Sequence, residues 1–89
     1  MALDIIVRKP TPQEIEESKN WGDWGKSPSE FEWSYDEKET CYILEGNATV
    51  KPEGGKEVSF EAGDLVIFPK GMNCTWKIEK TIKKKYKFG

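Results

Sequence analysis

From Phe31 onward, several segments alternate apolar and polar residues with a period of two, which is the pattern of β-strands with one buried face. Three aromatic residues alternate with polar ones in FEWSY, and Glu39, Cys41 and Ile43 share one face of ETCYI. The segment NATVKPEGGKEVSF predicts a hairpin, because Gly54 and Gly55 in its PEGG turn tolerate positive φ. Further strands are predicted within 64–69, over 74–79 and over 81–89. Short strands joined by glycine turns predict a mainly β sandwich or barrel.

The first 29 residues follow a different pattern. A strand is predicted over residues 4–8, and a short helix after it. Thr11 suits the N-cap, Pro12 the first helical position, and Glu14 completes a capping box, so we expect about two turns ending near Asn20. Residues 22–29 are rich in Gly, Ser and Pro and predict a loop. The 89 residues are expected to form one domain, with a C-terminal strand over 81–89.

Charge and hydropathy exclude several classes of function. The formal net charge of −2 argues against a general nucleic-acid binder. No apolar run is long enough to span a membrane, and the N-terminus lacks a signal-peptide pattern, so we expect a cytoplasmic protein, or an organellar one if a transit peptide was removed. The lysine-rich end alternates, with Ile82, Lys84, Tyr86 and Phe88 on one side, and it predicts that Lys83, Lys85 and Lys87 form a solvated strand face.

Two motifs resemble those of the cupin superfamily. In ETCYILEG, Glu39 and Gly46 have the spacing that ends the first cupin motif. In GDLVIFPKGMNC, Gly63, Pro69 and Gly71 have the spacing of the second. The resemblance covers roughly residues 30–80. Within the superfamily, the chain most resembles the small cupins grouped with ethanolamine-utilisation and ureidoglycine-aminohydrolase-like proteins (cupin type 3, DUF861). It implies a single small cupin β-barrel of the RmlC-like jelly-roll type, with one N-terminal helix, and it is compatible with a homodimer.

Family metalloenzymes bind one divalent metal through three histidines and a glutamate, and this chain has no histidine. In the family motif, three or four residues separate the second histidine from the glutamate. A gap of three before Glu39 places Trp33 and Tyr35 at the first two histidine positions, and a gap of four places Glu32 and Ser34 there. We favour the first alignment, because it leaves aromatic side chains inside. Cys74 occupies the third histidine position, so only Glu39 remains of the usual ligands. We therefore expect no tightly bound metal and no other cofactor.

These residues predict a pocket that binds a small organic ligand. Its predicted lining combines aromatic walls, a carboxylate and thiols: Trp33, Tyr35, Glu39, Cys41, Cys74 and Trp76. Glu39 is either a functional group, as an acid, base or polar anchor, or a carboxylate satisfied by the Tyr35 hydroxyl or an indole N–H.

Two alternative functions remain open from the sequence. A divergent enzyme would use Glu39 with Cys74 or Cys41, and these three residues could bind a soft metal such as zinc. Otherwise the two thiols are inert or form a disulfide. The second alternative function is a structural or interaction subunit with a vestigial pocket.

Overall fold

The computed structural model describes residues 4–89, and strands form most of them. The chain runs through eight elements: β1 (Ile6–Arg8), α1 (Pro12–Ser18), β2 (Gly22–Lys26), β3 (Ser29–Ser34), β4 (Glu39–Pro52), β5 (Val58–Glu61), β6 (Leu65–Phe68) and β7 (Asn73–Phe88). The prediction of a mainly β domain with one short N-terminal helix is confirmed. No helix in this part of the chain has the length and apolar character needed to cross a membrane.

The helix begins as its sequence predicts. The Thr11 side chain accepts a hydrogen bond from the backbone N–H of Glu14, and the Glu14 carboxylate accepts one from the backbone N–H of Thr11. These reciprocal bonds satisfy two N–H groups that a helix start otherwise leaves without partners. Arg8 donates two further hydrogen bonds to Glu14, at 2.8 and 2.7 Å, and so ties β1 to the helix.

Two long antiparallel strands, β4 and β7, organise the sheet. The first part of β4 lies between β6 and the end of β7, and its second part lies between β5 and the beginning of β7. The outer strands β1, β2 and β3 pair with β6, the end of β7 and the beginning of β7 respectively. The ring centroids of Phe68 in β6 and Trp76 at the start of β7 are 5.4 Å apart, so the two halves of the sheet fold over a common core.

The strand path is open. Its order is β1-β6-β4-β7-β2, with β3 and β5 branching from it, so among residues 4–89 the pairing does not close into a ring. The expected closed barrel is therefore corrected to a sheet folded on itself. Closure requires both edge strands to pair with each other, and here β1 and β2 pair only with inner strands.

Gly46 lies at an irregularity in the pairing of the two long strands. The register of the β4–β7 ladder shifts between Ile43 and Ala48. Gly46 has a φ of +84°, and a Cβ there would collide with the carbonyl oxygens of Lys80 and Thr81. Glycine is the residue that tolerates both conditions, so this motif glycine serves the backbone rather than chemistry.

Three local expectations are confirmed or corrected by the strand register. The hairpin is confirmed, with Ala48 opposite Phe60 and Val50 opposite Val58. Of its two glycines Gly54 has a positive φ, and Gly55 does not. Residues 22–29 were predicted as loop, but 22–26 form β2, because pairing with residues 82–86 of β7 overrides the local composition. The two predicted strands after residue 73 are one continuous strand.

Candidate binding site

A cavity of about 200 Å³ is lined by residues of β2, β3, the start of β4 and both halves of β7. Its described lining is aromatic except for one carboxylate and one amine: Trp24, Phe31, Trp33, Tyr35, Glu39, Trp76, Lys84, Tyr86 and Phe88. Mostly apolar walls with a few convergent polar groups are typical of small-molecule sites. A larger cleft of about 730 Å³ lies beside the hairpin turn at 52–56, and its described lining does not include the buried Glu39–Lys84 pair.

Strand β3 and the turn after it position the outer wall. Phe31 and Trp33 pair with Trp76 and Cys74 of β7, which sets their side chains on the same face of the sheet. Tyr35 follows β3, where its backbone N–H donates to Met72 O at 2.9 Å and its carbonyl accepts from the Gly71 N–H at 2.7 Å. Trp33 remains 48% exposed at the rim, whereas Tyr35 is buried.

Trp76 joins the pocket to the core. Its indole stacks on Phe31, with centroids 6.0 Å apart, and meets Trp24 edge-on at 6.1 Å. The indole N–H donates to the Tyr35 hydroxyl at 3.1 Å. Burial, with the Glu39 charge nearby, raises the pKa of Tyr35 well above its ordinary value, so the hydroxyl stays neutral. The aromatic wall is therefore a fixed, packed surface.

Glu39 and Lys84 form a buried ion pair beside the cavity. Lys84 Nζ lies 3.2 Å from Glu39 Oε1, and the two side chains are 5% and 7% exposed. Adjacent strands bring these residues together although 45 positions separate them in the sequence. The pairing compensates part of the cost of removing both charges from water.

Aromatic rings enclose the ammonium group of Lys84. Its Nζ lies 4.8 Å from the ring centroid of Trp24, 5.0 Å from that of Trp76 and 6.0 Å from that of Phe68. The faces of these rings carry partial negative charge, so they attract a cation. Nζ also donates to Cys41 Sγ at 3.4 Å.

The pair corrects one expectation and adds a residue. Neither Tyr35 nor an indole N–H satisfies Glu39, because the Trp76 indole donates to Tyr35 and Lys84 donates to Glu39. Lys84 is absent from the predicted site, although the alternation already placed it on the same side as Ile82 and Tyr86. A lysine on the buried face of a strand was the available signal, and the surrounding lysine run obscured it.

The structure brings four of the six predicted pocket residues together: Trp33, Tyr35, Glu39 and Trp76. Within residues 4–89, the two cysteines are not part of the cavity lining. Cys41 is fully buried behind Lys84, and the Cys74 thiol donates to the Trp33 carbonyl at 3.6 Å. Glu32 and Ser34 border a different cleft, which Trp33 and Cys74 also line.

Both thiols are free and buried. Burial, and then the nearby Glu39 charge, raises the pKa of Cys74 to about 11. Burial also raises the pKa of Cys41 well above its ordinary value, although Lys84 opposes that shift. Protonated thiols are poor nucleophiles and poor metal ligands, so neither cysteine is activated here.

The donor set does not fit the metal that cupin metalloenzymes bind. Among the described residues, no three side chains of His, Cys, Asp or Glu are grouped closely enough to hold a metal ion. Glu39 is the one carboxylate of the cavity, and its positive partner is Lys84.

Four aromatic lining residues, Trp24, Phe31, Tyr86 and Phe88, are also missing from the predicted site. Trp24 lies in the segment predicted as a loop, so the sequence did not indicate which face of a strand its side chain occupies. Phe31, Tyr86 and Phe88 alternate with polar residues, which signals an inner face without showing whether that face lines a cavity.

Comparison with known proteins connects this chain to a family. The family model of the EutQ-like cupin domain matches residues 14–86. A DUF861 family protein from Thermotoga maritima is 45% identical, with a TM-score of 0.92 over 97% of this chain and 100% of that one. The EutQ protein of Clostridium difficile is 21% identical, with a TM-score of 0.67 over 96% of this chain and 67% of that one.

A putative ethanolamine utilization protein Q from Salmonella typhimurium is 21% identical, with a TM-score of 0.69 over 94% of this chain and 68% of that one. At that identity, both EutQ likenesses concern the fold alone. Comparison with curated proteins produced no match.

Proposed function

The chain belongs to the EutQ-like cupin family, and from that premise we propose that it binds a small organic molecule in the aromatic cavity, without a metal. The observation that carries the proposal is the buried Glu39–Lys84 pair beside an otherwise aromatic lining. Buried ion pairs are expensive to maintain, and replacing one with apolar residues is often neutral or stabilising. A pair retained beside a cavity therefore favours a role in recognition.

The cavity volume limits the ligand. A volume of about 200 Å³ corresponds to about seven water molecules at roughly 30 Å³ each. The ligand is therefore small, and the flat walls of Phe31 and Trp76 favour a planar or short-chain compound. Its polar end would lie against Lys84 and Glu39, and its apolar part against Trp33 near the rim. The fold that holds it would be a jelly roll of the cupin type.

A titration with benzyl alcohol, benzoate and benzylamine, followed by NMR shifts of the indole N–H groups, tests this proposal. We expect at least one of these probes to shift the signals of Trp33 and Trp76. Trp33→Ala should weaken that binding by about tenfold, because one lost aromatic contact is worth roughly 0.5–1.5 kcal/mol beyond its area. Trp33 is 48% exposed, so the variant should remain folded.

Trp21→Ala is the matched control. Trp21 lies outside the cavity lining and packs near Lys87 Nζ, 5.1 Å from its ring centroid. The variant removes the same side-chain type, so affinity should be unchanged. The proposal is wrong if none of the three probes binds, or if both tryptophan variants weaken binding equally.

A further inference from the structure

We propose that Lys84 is a covalent site for small carbonyl compounds. Its amine condenses reversibly with an aldehyde in the cavity to form an imine. The inference rests on the proposed binding function and names its substrate class as small aldehydes. The observations behind it are the position of Lys84 in the cavity lining, its burial and its contact with Glu39.

Lys84 has the surroundings of a reactive amine. Its Nζ is shielded from bulk water and lies in the cavity lining, where a bound aldehyde would be held next to it. Glu39 lies within hydrogen-bond reach of Nζ, so it can accept the proton that the ammonium must lose. Lys83, the preceding residue on the same strand, has a side chain 63% exposed to water and lacks this environment.

The condensation balances through one proton carried by Glu39. Glu39 takes a proton from Lys84, and the free Nζ lone pair forms a bond to the carbonyl carbon while the carbonyl π pair moves to oxygen. Transfer of a proton from nitrogen to that oxygen gives a neutral carbinolamine. The Glu39 carboxyl then protonates the hydroxyl, the C–O bond breaks and water leaves. The nitrogen lone pair closes the C=N bond, so an iminium and the Glu39 carboxylate remain.

The same surroundings stabilise the product. An iminium keeps the positive charge of the original ammonium. Glu39 therefore remains its counter-ion, and the rings of Trp24 and Trp76, 4.8 and 5.0 Å from Nζ, still face a cation. A phenyl or short alkyl group on the aldehyde carbon would extend along the aromatic walls.

Trapping with benzaldehyde and sodium cyanoborohydride tests the inference on the unmodified chain. The reductant converts an imine to a stable secondary amine, so each event adds one benzyl group that peptide mass mapping locates. We expect Lys84 to be modified before any surface lysine, Lys83 included. Glu39→Gln should slow the reaction at Lys84 by about 10²-fold or more, because the proton carrier is lost, while Lys83 labelling stays constant.

Benzyl alcohol separates this inference from the proposed function, because it has the same ring but no carbonyl group. If it shifts the pocket tryptophan signals and benzaldehyde is not trapped at Lys84, the binding function stands and the imine inference is wrong. If Lys84 is labelled no faster than Lys83, the inference is also wrong. Selective labelling of Lys84 that excess benzyl alcohol suppresses supports both.

Discussion

Two ion pairs in this chain have similar chemistry and opposite surroundings. Arg8 and Glu14 meet through two hydrogen bonds of 2.7 and 2.8 Å, with side chains 42% and 25% exposed. Lys84 and Glu39 meet through one contact of 3.2 Å with both side chains almost fully buried. The surface pair has the better geometry, but water can replace either partner if the other is lost. The buried pair has no such replacement, so burial rather than geometry decides what its loss costs.

Removal of the Lys84 charge should have the largest effect. Lys84→Met leaves the Glu39 carboxylate buried among aromatic side chains without a counter-charge. We expect a loss of about 3–5 kcal/mol in the free energy of unfolding, measured by urea denaturation at neutral pH. In a domain of 89 residues, that is a large part of a total of about 5–15 kcal/mol.

Lys83→Met is the matched control for that variant. The side chain of Lys83 lies on the other face of the same strand. Its Nζ is 3.7 Å from Glu45 Oε2, and both side chains are largely exposed. Its loss should change stability by no more than about 0.5 kcal/mol. Equal effects of the two substitutions would show that the Glu39–Lys84 pair is hydrated in solution.

Replacement of both buried charges should have a smaller effect than replacement of one. In Glu39→Met/Lys84→Met no charge is left unpaired, and two apolar side chains of similar length fill the space. We expect the free energy of unfolding of the double variant to lie within about 1 kcal/mol of the wild-type value, or above it. The double-mutant cycle gives the coupling energy. A double variant as unstable as Lys84→Met would mean that lost packing causes the damage.

Of the two acidic residues compared here, the sequence predicted the local contacts of Glu14 but not the ion pair of Glu39. The capping box at Thr11 and Glu14 is a spacing of three residues within one helix turn, and the structure contains it. The buried pair depends on register between β4 and β7, which local patterns do not set. Alternation placed Glu39 and Lys84 on inner faces, yet it could not show that those faces meet.

The remaining differences have the same cause. Strand β2 exists because residues 22–26 pair with β7, and its Gly-rich composition predicted a loop instead. The closed barrel was inferred from motif spacing, which carries no information about which strand edges pair. The hairpin over 47–60 was predictable, because a short turn determines its own register.

Thiol labelling compares the surroundings of the buried pair with those of a second buried position. Cys41 lies beside Lys84 and is fully buried, whereas Cys74 borders a separate cleft next to β3 and is 6% exposed. The pKa of Cys74 is raised to about 11 and that of Cys41 also lies well above its ordinary value, so both thiols are protonated at pH 7. We expect iodoacetamide to modify both slowly, and Cys74 first, as mass spectrometry would report. Faster labelling of Cys41 would show that the buried pair opens to solvent.

The pH dependence of the surface pair should be the smallest effect. Arg8, with the Thr11 N–H, lowers the pKa of Glu14 from 4.5 to about 2. A carboxyl with a folded-state pKa below its unfolded value contributes stability above the unfolded value, and that stability disappears as the pH falls towards the folded value. The contribution of Glu14 should therefore be complete above about pH 5 and lost by about pH 2. Water screens this exposed pair, so the change should be modest.

Arg8→Ala isolates the contribution of the surface pair. It removes the main cause of the Glu14 shift and leaves the capping box in place. We expect urea midpoints of the variant to fall less steeply than those of the wild type between pH 5 and pH 2, and the two proteins to converge at the acid end. Gln13→Ala, on the same helix but without a basic partner, should follow the wild-type curve. Parallel curves for Arg8→Ala and the wild type would show that the cap alone sets the Glu14 pKa, and that the surface pair contributes nothing measurable.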